Sequence, residues 1–191
     1  VELLKRLLAE QVSIYKGRNF VKSEKFSDIM QHAINAYLNG MLTNEEVIEE
    51  MLKLAKQIAA DQKEGDKLGL TADELAFYDA LTKPQAIKDF YENEELIAIT
   101  KELADTLRKN KSIDWQKRES ARAKMRMLIK KLLKKHKYPP EGMDDAVQTV
   151  MTQCELWTDN YSFEENHNVF TYTNNTEKTL PLVAEERVRY N

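Results

Sequence analysis

One stretch of this sequence has carboxylates and a lysine at a spacing used by metal-dependent nucleases. Asp61-Gln62-Lys63, with Glu49 and Glu50 upstream, has the form of a spaced acid followed by Asp-x-Lys. Such enzymes hold the acids and the lysine on strands that converge on one ion. Here the residues fall on, or at the end of, an amphipathic helical pattern, so the match is read as coincidence. No G-x-x-x-x-G-K-[S/T] phosphate loop occurs. His32, His136 and His167 lie far apart with no second ligand at i+4, and Cys154 stands alone, so no metal site is expected. The expectation is a fragment with no catalytic residues and no cofactor of its own. A nucleophile and base brought together only by folding is not legible at this level.

Charge is the stronger signal. The net charge of −3 averages over opposite segments. Residues 41–74 carry nine acids (Glu45, Glu46, Glu49, Glu50, Asp61, Glu64, Asp66, Asp73, Glu74) against four lysines, whereas residues 117–137 carry ten Lys/Arg against Glu119. Local field of this kind steers binding more than net charge does. On a helical wheel for a basic helix over about Asp114–His136, Ala121, Met125, Leu128, Ile129, Leu132 and Leu133 share one arc. Lys117, Lys124, Lys131 and Lys135 fall opposite. That lysine stripe is either a solvated face or a row of contacts to DNA phosphates that releases counterions. Arg118 and Arg122 fall inside the apolar arc, where a guanidinium needs a partner. Asp114, four residues before Arg118, is the expected intrahelical partner. Arg122 is expected to find an acid on another helix or in the acidic region. Both arginines fit either a structural ion-pair network or a partner-binding or anion-binding role.

The elements that must position these residues read as helices. Leu4, Leu8, Val12 and Tyr15 recur at helical spacing in the first segment, and Phe26, Met30, Ala33 and Tyr37 do so in a second over about Ser23–Asn39. Gly40 stands where a left-handed cap is expected. Thr43-Asn44-Glu45-Glu46 and Thr71-Ala72-Asp73-Glu74 both match the capping box. The first opens a helix expected to end near Gly65, and the second a short helix stopped before Pro84. Further helices are predicted around Gln85–Phe90, Asn93–Lys109 and Gly142–Trp157. From Thr158 helical spacing fades. Val169–Thr173 alternates like a strand, Asn174-Asn175 suggests a turn, and Leu180–Val183 is a short apolar run. The predicted architecture is all-α, an irregular bundle of about seven or eight helices over 1–157, with a tail or small β-hairpin over 158–191.

Composition agrees. Five glycines and four prolines in 191 residues argue for long helices over a barrel or sandwich. With one cysteine no intrachain disulfide can form. No apolar run approaches the ~18 residues of a membrane span, so no membrane partner is expected. The start, Val1-Glu2-Leu3-Leu4-Lys5, resembles no targeting segment and reads as helix at once. The expectation is a piece of a longer, cytoplasmic protein.

Three strings carry a resemblance. They are Glu74-Leu75-Ala76-Phe77-Tyr78-Asp79-Ala80-Leu81, the run Ile113–Arg126 (Ile-Asp-Trp-Gln-Lys-Arg-Glu-Ser-Ala-Arg-Ala-Lys-Met-Arg), and Lys137-Tyr138-Pro139-Pro140. In this order and spacing they resemble the C-terminal helical domain of the restriction (R) subunit of type I restriction–modification enzymes, over roughly Phe26 to Leu156. The resemblance implies a large parent subunit with an upstream nuclease domain and two ATP-driven motor domains that translocate duplex DNA. It implies ATP and Mg²⁺ as cofactors of that parent and not of this fragment. It also implies that this domain docks the subunit onto a methyltransferase core of modification and specificity subunits. The family's catalytic motifs belong upstream and map to no residue here.

Overall fold

Both predicted capping boxes form. In the computed structural model, which describes residues 1–112 and 114–173 with side chains through Asp159, Thr43 Oγ1 accepts from the Glu46 amide at 3.2 Å and the Thr43 amide donates to Glu46 Oε2 at 2.8 Å. Thr71 and Glu74 repeat the exchange at 3.2 and 3.1 Å. Each pair satisfies backbone donors that a helix start leaves open.

Among the described residues the order is α1 (Glu2–Lys16), α2 (Phe20–Leu38), α3 (Asn44–Asp61), α4 (Glu64–Leu68), α5 (Ala72–Leu81), α6 (Gln85–Phe90), α7 (Asn93–Asn110), α8 (Glu119–Lys135) and α9 (Met143–Thr173), with short 3-10 turns at Trp115–Lys117 and Pro140–Gly142. No strand occurs among them, and the fold is an all-α, irregular bundle. The one element beyond the predicted seven or eight is α4, a single turn that follows α3 after a break at Gln62-Lys63. No helix among the described residues is long and apolar enough to cross a membrane.

Helix ends follow local chemistry. Gly40 takes φ +70°, and the amides of Met41 and Gly40 donate to Ala36 O and Tyr37 O, which closes α2 with the left-handed cap expected there. The same motif ends α8, where the amides of Tyr138 and Lys137 donate to Leu133 O and Lys134 O. Here the left-handed residue is Lys137, at φ +58°. A side chain in that region costs ~1 kcal/mol. Lys137→Gly is expected to raise the free energy of urea unfolding by up to ~1 kcal/mol, less what glycine adds to the entropy of the unfolded chain; a decrease would show that the lysine side chain makes a compensating contact.

Two apolar cores organise the bundle. The N-terminal core joins α1, α2 and α3 through Leu8, Val12, Phe26, Ile34, Met51 and Leu54. The larger core gathers α5, α7, α8 and α9 around Phe77, Leu103, Trp115, Ile129 and Val150. Helix α5 is the hub: every residue from Leu75 to Leu81 is buried, the carboxylate Asp79 among them. It packs against α7 and α9, and it also touches α2, the bridge to the first core. Tyr138 ties the end of α8 to this hub, its hydroxyl donating to Leu81 O at 2.9 Å.

Two expectations are corrected. The basic helix does not begin at Asp114. Asp114 adopts the left-handed conformation (φ +58°), Trp115–Lys117 form a 3-10 turn and Arg118 is extended, so α8 starts at Glu119. Asp is one of the few residues that enter this region readily, and the detour buries the Trp115 indole completely. The last helix does not end at Trp157 either. It runs to Thr173, and Val169–Thr173, expected as a strand, are helical. Once a packed helix exists, each added residue gains a backbone hydrogen bond without a new nucleation cost, which overrides a weak alternating pattern. Asn174-Asn175 and Leu180–Val183, the rest of the expected hairpin, lie outside the described residues.

Candidate interaction surface

The face of α8 is set by the core beneath it. Met125, Ile129, Leu132 and Leu133 are buried, with Ala121 and Leu128 half-buried against them, as the wheel required. Lys124 and Lys131 therefore point to solvent, and neither has an acid within ion-pair distance among the described residues. The other two members of the lysine stripe differ. Lys117 lies in the 3-10 turn, off the helix, and pairs with Asp114 at 3.4 Å. Lys135 Nζ meets Glu102 Oε1 of α7 at 2.7 Å. The Glu102 carboxylate also receives His136 Nε2 at 2.7 Å. Hydrogen bonds from Lys135 and His136 hold Glu102 below the usual glutamate range.

The two arginines separate. Because the chain breaks at Arg118, that residue leaves the apolar arc and is exposed. Its expected partner Asp114 is no longer one helical turn away and pairs instead with Lys117. Arg122 does fall at the edge of the core, half-buried, and its acid does come from another helix: Arg122 Nη1 meets Glu155 Oε1 of α9 at 2.5 Å, with Glu119 at 3.9 Å. Gln116 reinforces the seam, its Nε2 donating to Glu155 O and Asp159 Oδ1. Arg122 is thus a clamp between α8 and α9. Glu155 lay outside the acidic region and had no sequence signal beyond its acid type.

The nuclease-like string does not assemble. Glu49 and Glu50 sit on the outside of α3 in ion pairs with Lys53, roughly 17 Å along the helix from Asp61. Lys63 is exposed, whereas Asp61 turns inward to a buried lysine.

That lysine, Lys22, is the centre of a site the sequence reading passed over. Its side chain is 6% exposed, and its ammonium lies 2.8 Å from Glu64 Oε2, 3.6 Å from Asp79 Oδ2 and 3.8 Å from Asp61 Oδ1. Asn19 caps α2 by accepting from the Lys22 amide and donates Nδ2 to Asp79 Oδ2 at 2.7 Å. One cation from α2 thus meets acids from α3, α4 and α5, at the junction of the two cores. Burial alone lowers the pKa of Lys22, but the surrounding acids, Asp79 foremost, more than offset this and leave it raised. Burial pushes Asp79 up to about 6, against the pull of Lys22 and Asn19. Desolvation pushes Glu64 up, but its hydrogen bond to Lys22 together with the charges of Lys22, Lys88 and Lys25 leaves it below its ordinary value. A signal did exist: Lys22 stands four residues before Phe26, on the apolar stripe of α2. Cys154 is fully buried, and burial pushes its thiol up to about 12, the profile of an inert packing residue. No group of three or more His, Cys, Asp or Glu side chains placed to hold a metal occurs among the described residues.

Comparison with known proteins gives a consistent answer. A family model described as "Type I restriction enzyme HindI endonuclease subunit-like, C-terminal" matches residues 1–160. The chain is 39% identical over 155 residues to the type I restriction enzyme HindI endonuclease subunit of Haemophilus influenzae, a match that covers 81% of this chain and 15% of that protein. It is 32% identical over 145 residues to a Methanocaldococcus jannaschii protein named as the type I restriction enzyme MjaIXP endonuclease subunit, covering 75% of this chain and 13% of the relative. The chain therefore spans a small fraction of the length of these relatives. No solved structure matches it significantly.

Proposed function

Because the chain belongs to the family of C-terminal regions of HindI-like type I restriction enzyme endonuclease subunits, we propose that it is a non-catalytic assembly domain. In this reading it docks an ATP-dependent DNA translocase and endonuclease subunit onto a methyltransferase core of modification and specificity subunits. ATP and Mg²⁺ would serve the parent subunit elsewhere in its length, and the complex would act in the cytoplasm. One observation carries the proposal: a family match across residues 1–160 of a chain whose matched residues cover only 15% of a relative named as an endonuclease subunit. The test is competition. The purified chain, added to a purified modification–specificity core, is expected to form a stoichiometric complex in sedimentation velocity and to block addition of the full-length subunit. Neither complex nor competition at tens of micromolar would overturn the reading.

A second reading, sequence-independent DNA contact, draws on Lys124 and Lys131, which are exposed and have no acid within ion-pair distance among the described residues. The pairing of Lys117 and Lys135 with acids halves the stripe. Two phosphate contacts correspond to a slope of log K against log salt of about −2. Lys124→Ala/Lys131→Ala would abolish that slope if this reading holds, and duplex binding with an unchanged slope would refute it.

A further inference from the structure

Beside the clamp formed by Arg122 and Glu155, the surfaces of α8 and α9 part to leave a hollow of about 580 Å³. Its α8 wall carries Arg126, Met127, Lys130, Lys131 and Lys134, and its α9 wall carries Asp144, Val147 and Gln148. A second hollow of about 350 Å³ shares Lys130, Lys134 and Asp144 and continues to Tyr138, Pro140 and Met143. Arg126 to Lys134 is eight residues, so the trough follows α8 for about 12 Å, a little over two helical turns.

The cations and the floor are both unusual. Lys131 and Lys134 are exposed and have no acid within ion-pair distance among the described residues. Lys130 pairs with Asp144 at 3.2 Å, but that carboxylate is 92% exposed and free to exchange. Arg126 is held by Glu119 from the preceding turns. Between these charges Met127 is 66% exposed, and Val147 and Met143 form apolar floor beneath. Methionine at a surface adapts to partners of varied shape. An apolar floor under a cationic rim suits a ligand with both anionic and apolar groups.

We propose that this α8–α9 trough is a docking groove for an acidic, amphipathic polypeptide segment of a partner protein. The segment would set apolar side chains at i, i+4 and i+7 on Met127 and its neighbours, and carboxylates on Lys130, Lys131 and Lys134. Two turns of trough match the reach of such anchors. A nucleic acid backbone fits less well: it would place phosphates on Met127, whose burial then gains nothing. The proposal deepens the assembly reading, on which it rests for the premise that the partner is protein.

The test titrates the chain with three probes at 0.15 M salt. They are an 18-residue peptide of Glu and Leu with the leucines at i, i+4 and i+7, its Glu/Ser counterpart of equal charge, and an 18-base-pair DNA duplex. The Glu/Leu peptide is expected to bind at least tenfold more tightly than either other probe. Lys131→Glu/Lys134→Glu is expected to weaken it tenfold or more, and Met127→Ser severalfold. Both sets of side chains are exposed, so folding is not at stake. Lys56→Glu, an exposed position on α3 in the other core, is the control and should change little. Equal binding of the Glu/Ser peptide, tighter binding of the duplex, self-association of the chain lost in Lys131→Glu/Lys134→Glu, or no Glu/Leu binding at millimolar peptide would each overturn the proposal. The two readings fail separately. If the chain joins the modification–specificity core but Lys131→Glu/Lys134→Glu joins it equally well, the groove is wrong and assembly stands. If the peptide binds in the groove but the core does not, assembly is wrong and the groove stands.

Discussion

Replacing Lys22 with methionine is expected to cost about 3–5 kcal/mol of stability at neutral pH, the range for breaking a buried ion pair by removing one partner. Methionine keeps most of the volume, so the loss measures charge and not packing. What remains is Asp61, Glu64 and Asp79 facing one another with no cation at 2.8–3.8 Å. The effect should depend on pH in a definite sense. The folded-state pKa of Asp79 lies above its unfolded value, from 3.8 to about 6, so its favourable contribution is complete below pH ~4 and fades as pH rises through ~6. Glu64 has the opposite sign. Its lowered pKa stabilises above the unfolded value and that stability is lost on acidification. Lys22→Met removes the bond that lowers Glu64 and the cation that restrains Asp79. Glu64 and Asp79 then favour protonation. Urea unfolding of both proteins at pH 5 and pH 7.5 should therefore show the larger difference at pH 7.5. A difference below ~1 kcal/mol, or one equal at the two pH values, would contradict this account.

Trp115→Ala is expected to cost a similar amount, about 3–5 kcal/mol. The indole is completely buried in the core of α5, α7, α8 and α9, and its Nε1 donates to Thr158 Oγ1 at 3.1 Å. For a chain of this size the loss corresponds to a fall in Tm of roughly 6–20 °C. Trp115→Phe keeps most of the apolar volume and should recover more than half of it. If Phe proves as damaging as Ala, the hydrogen bond to α9 matters more than the packing.

How far the sequence led depended on the range of the signal. Thr43, Thr71 and Gly40 worked because each acts over three to five residues: a hydroxyl facing an amide three positions on, or a missing Cβ where the chain turns left-handed. The wheel for α8 succeeded from Ala121 onward, where the helix is continuous. It failed at Asp114, Lys117 and Arg118 because one left-handed residue before Trp115 reset the frame, and no periodicity records that. The partners of Arg122 and Lys135 lie 33 residues away and those of Lys22 39 to 57 residues away, distances at which residue type alone selects nothing. Lys22 itself was legible, as a cation on an apolar stripe. Each of the three strings that carried the family resemblance contributes to the core: Phe77 and its neighbours fill α5, Trp115 and Met125 pack beneath α8, and Tyr138 is fastened to Leu81. The trough of Arg126, Lys130, Lys131 and Lys134 emerges only once α9 lies beside α8.

The Lys22 junction has a geometric consequence. Apolar helix surfaces slide past one another with little change in buried area, so two cores joined only by such contacts would share a smooth boundary. A single ammonium reading carboxylates from three successive elements removes that freedom. Advancing α2 by one residue moves the lysine ~1.5 Å along the axis and swings it ~100° around it, away from all three acids at once. The charge cluster works as a detent, giving the first three helices one indexed seat against the rest of the bundle.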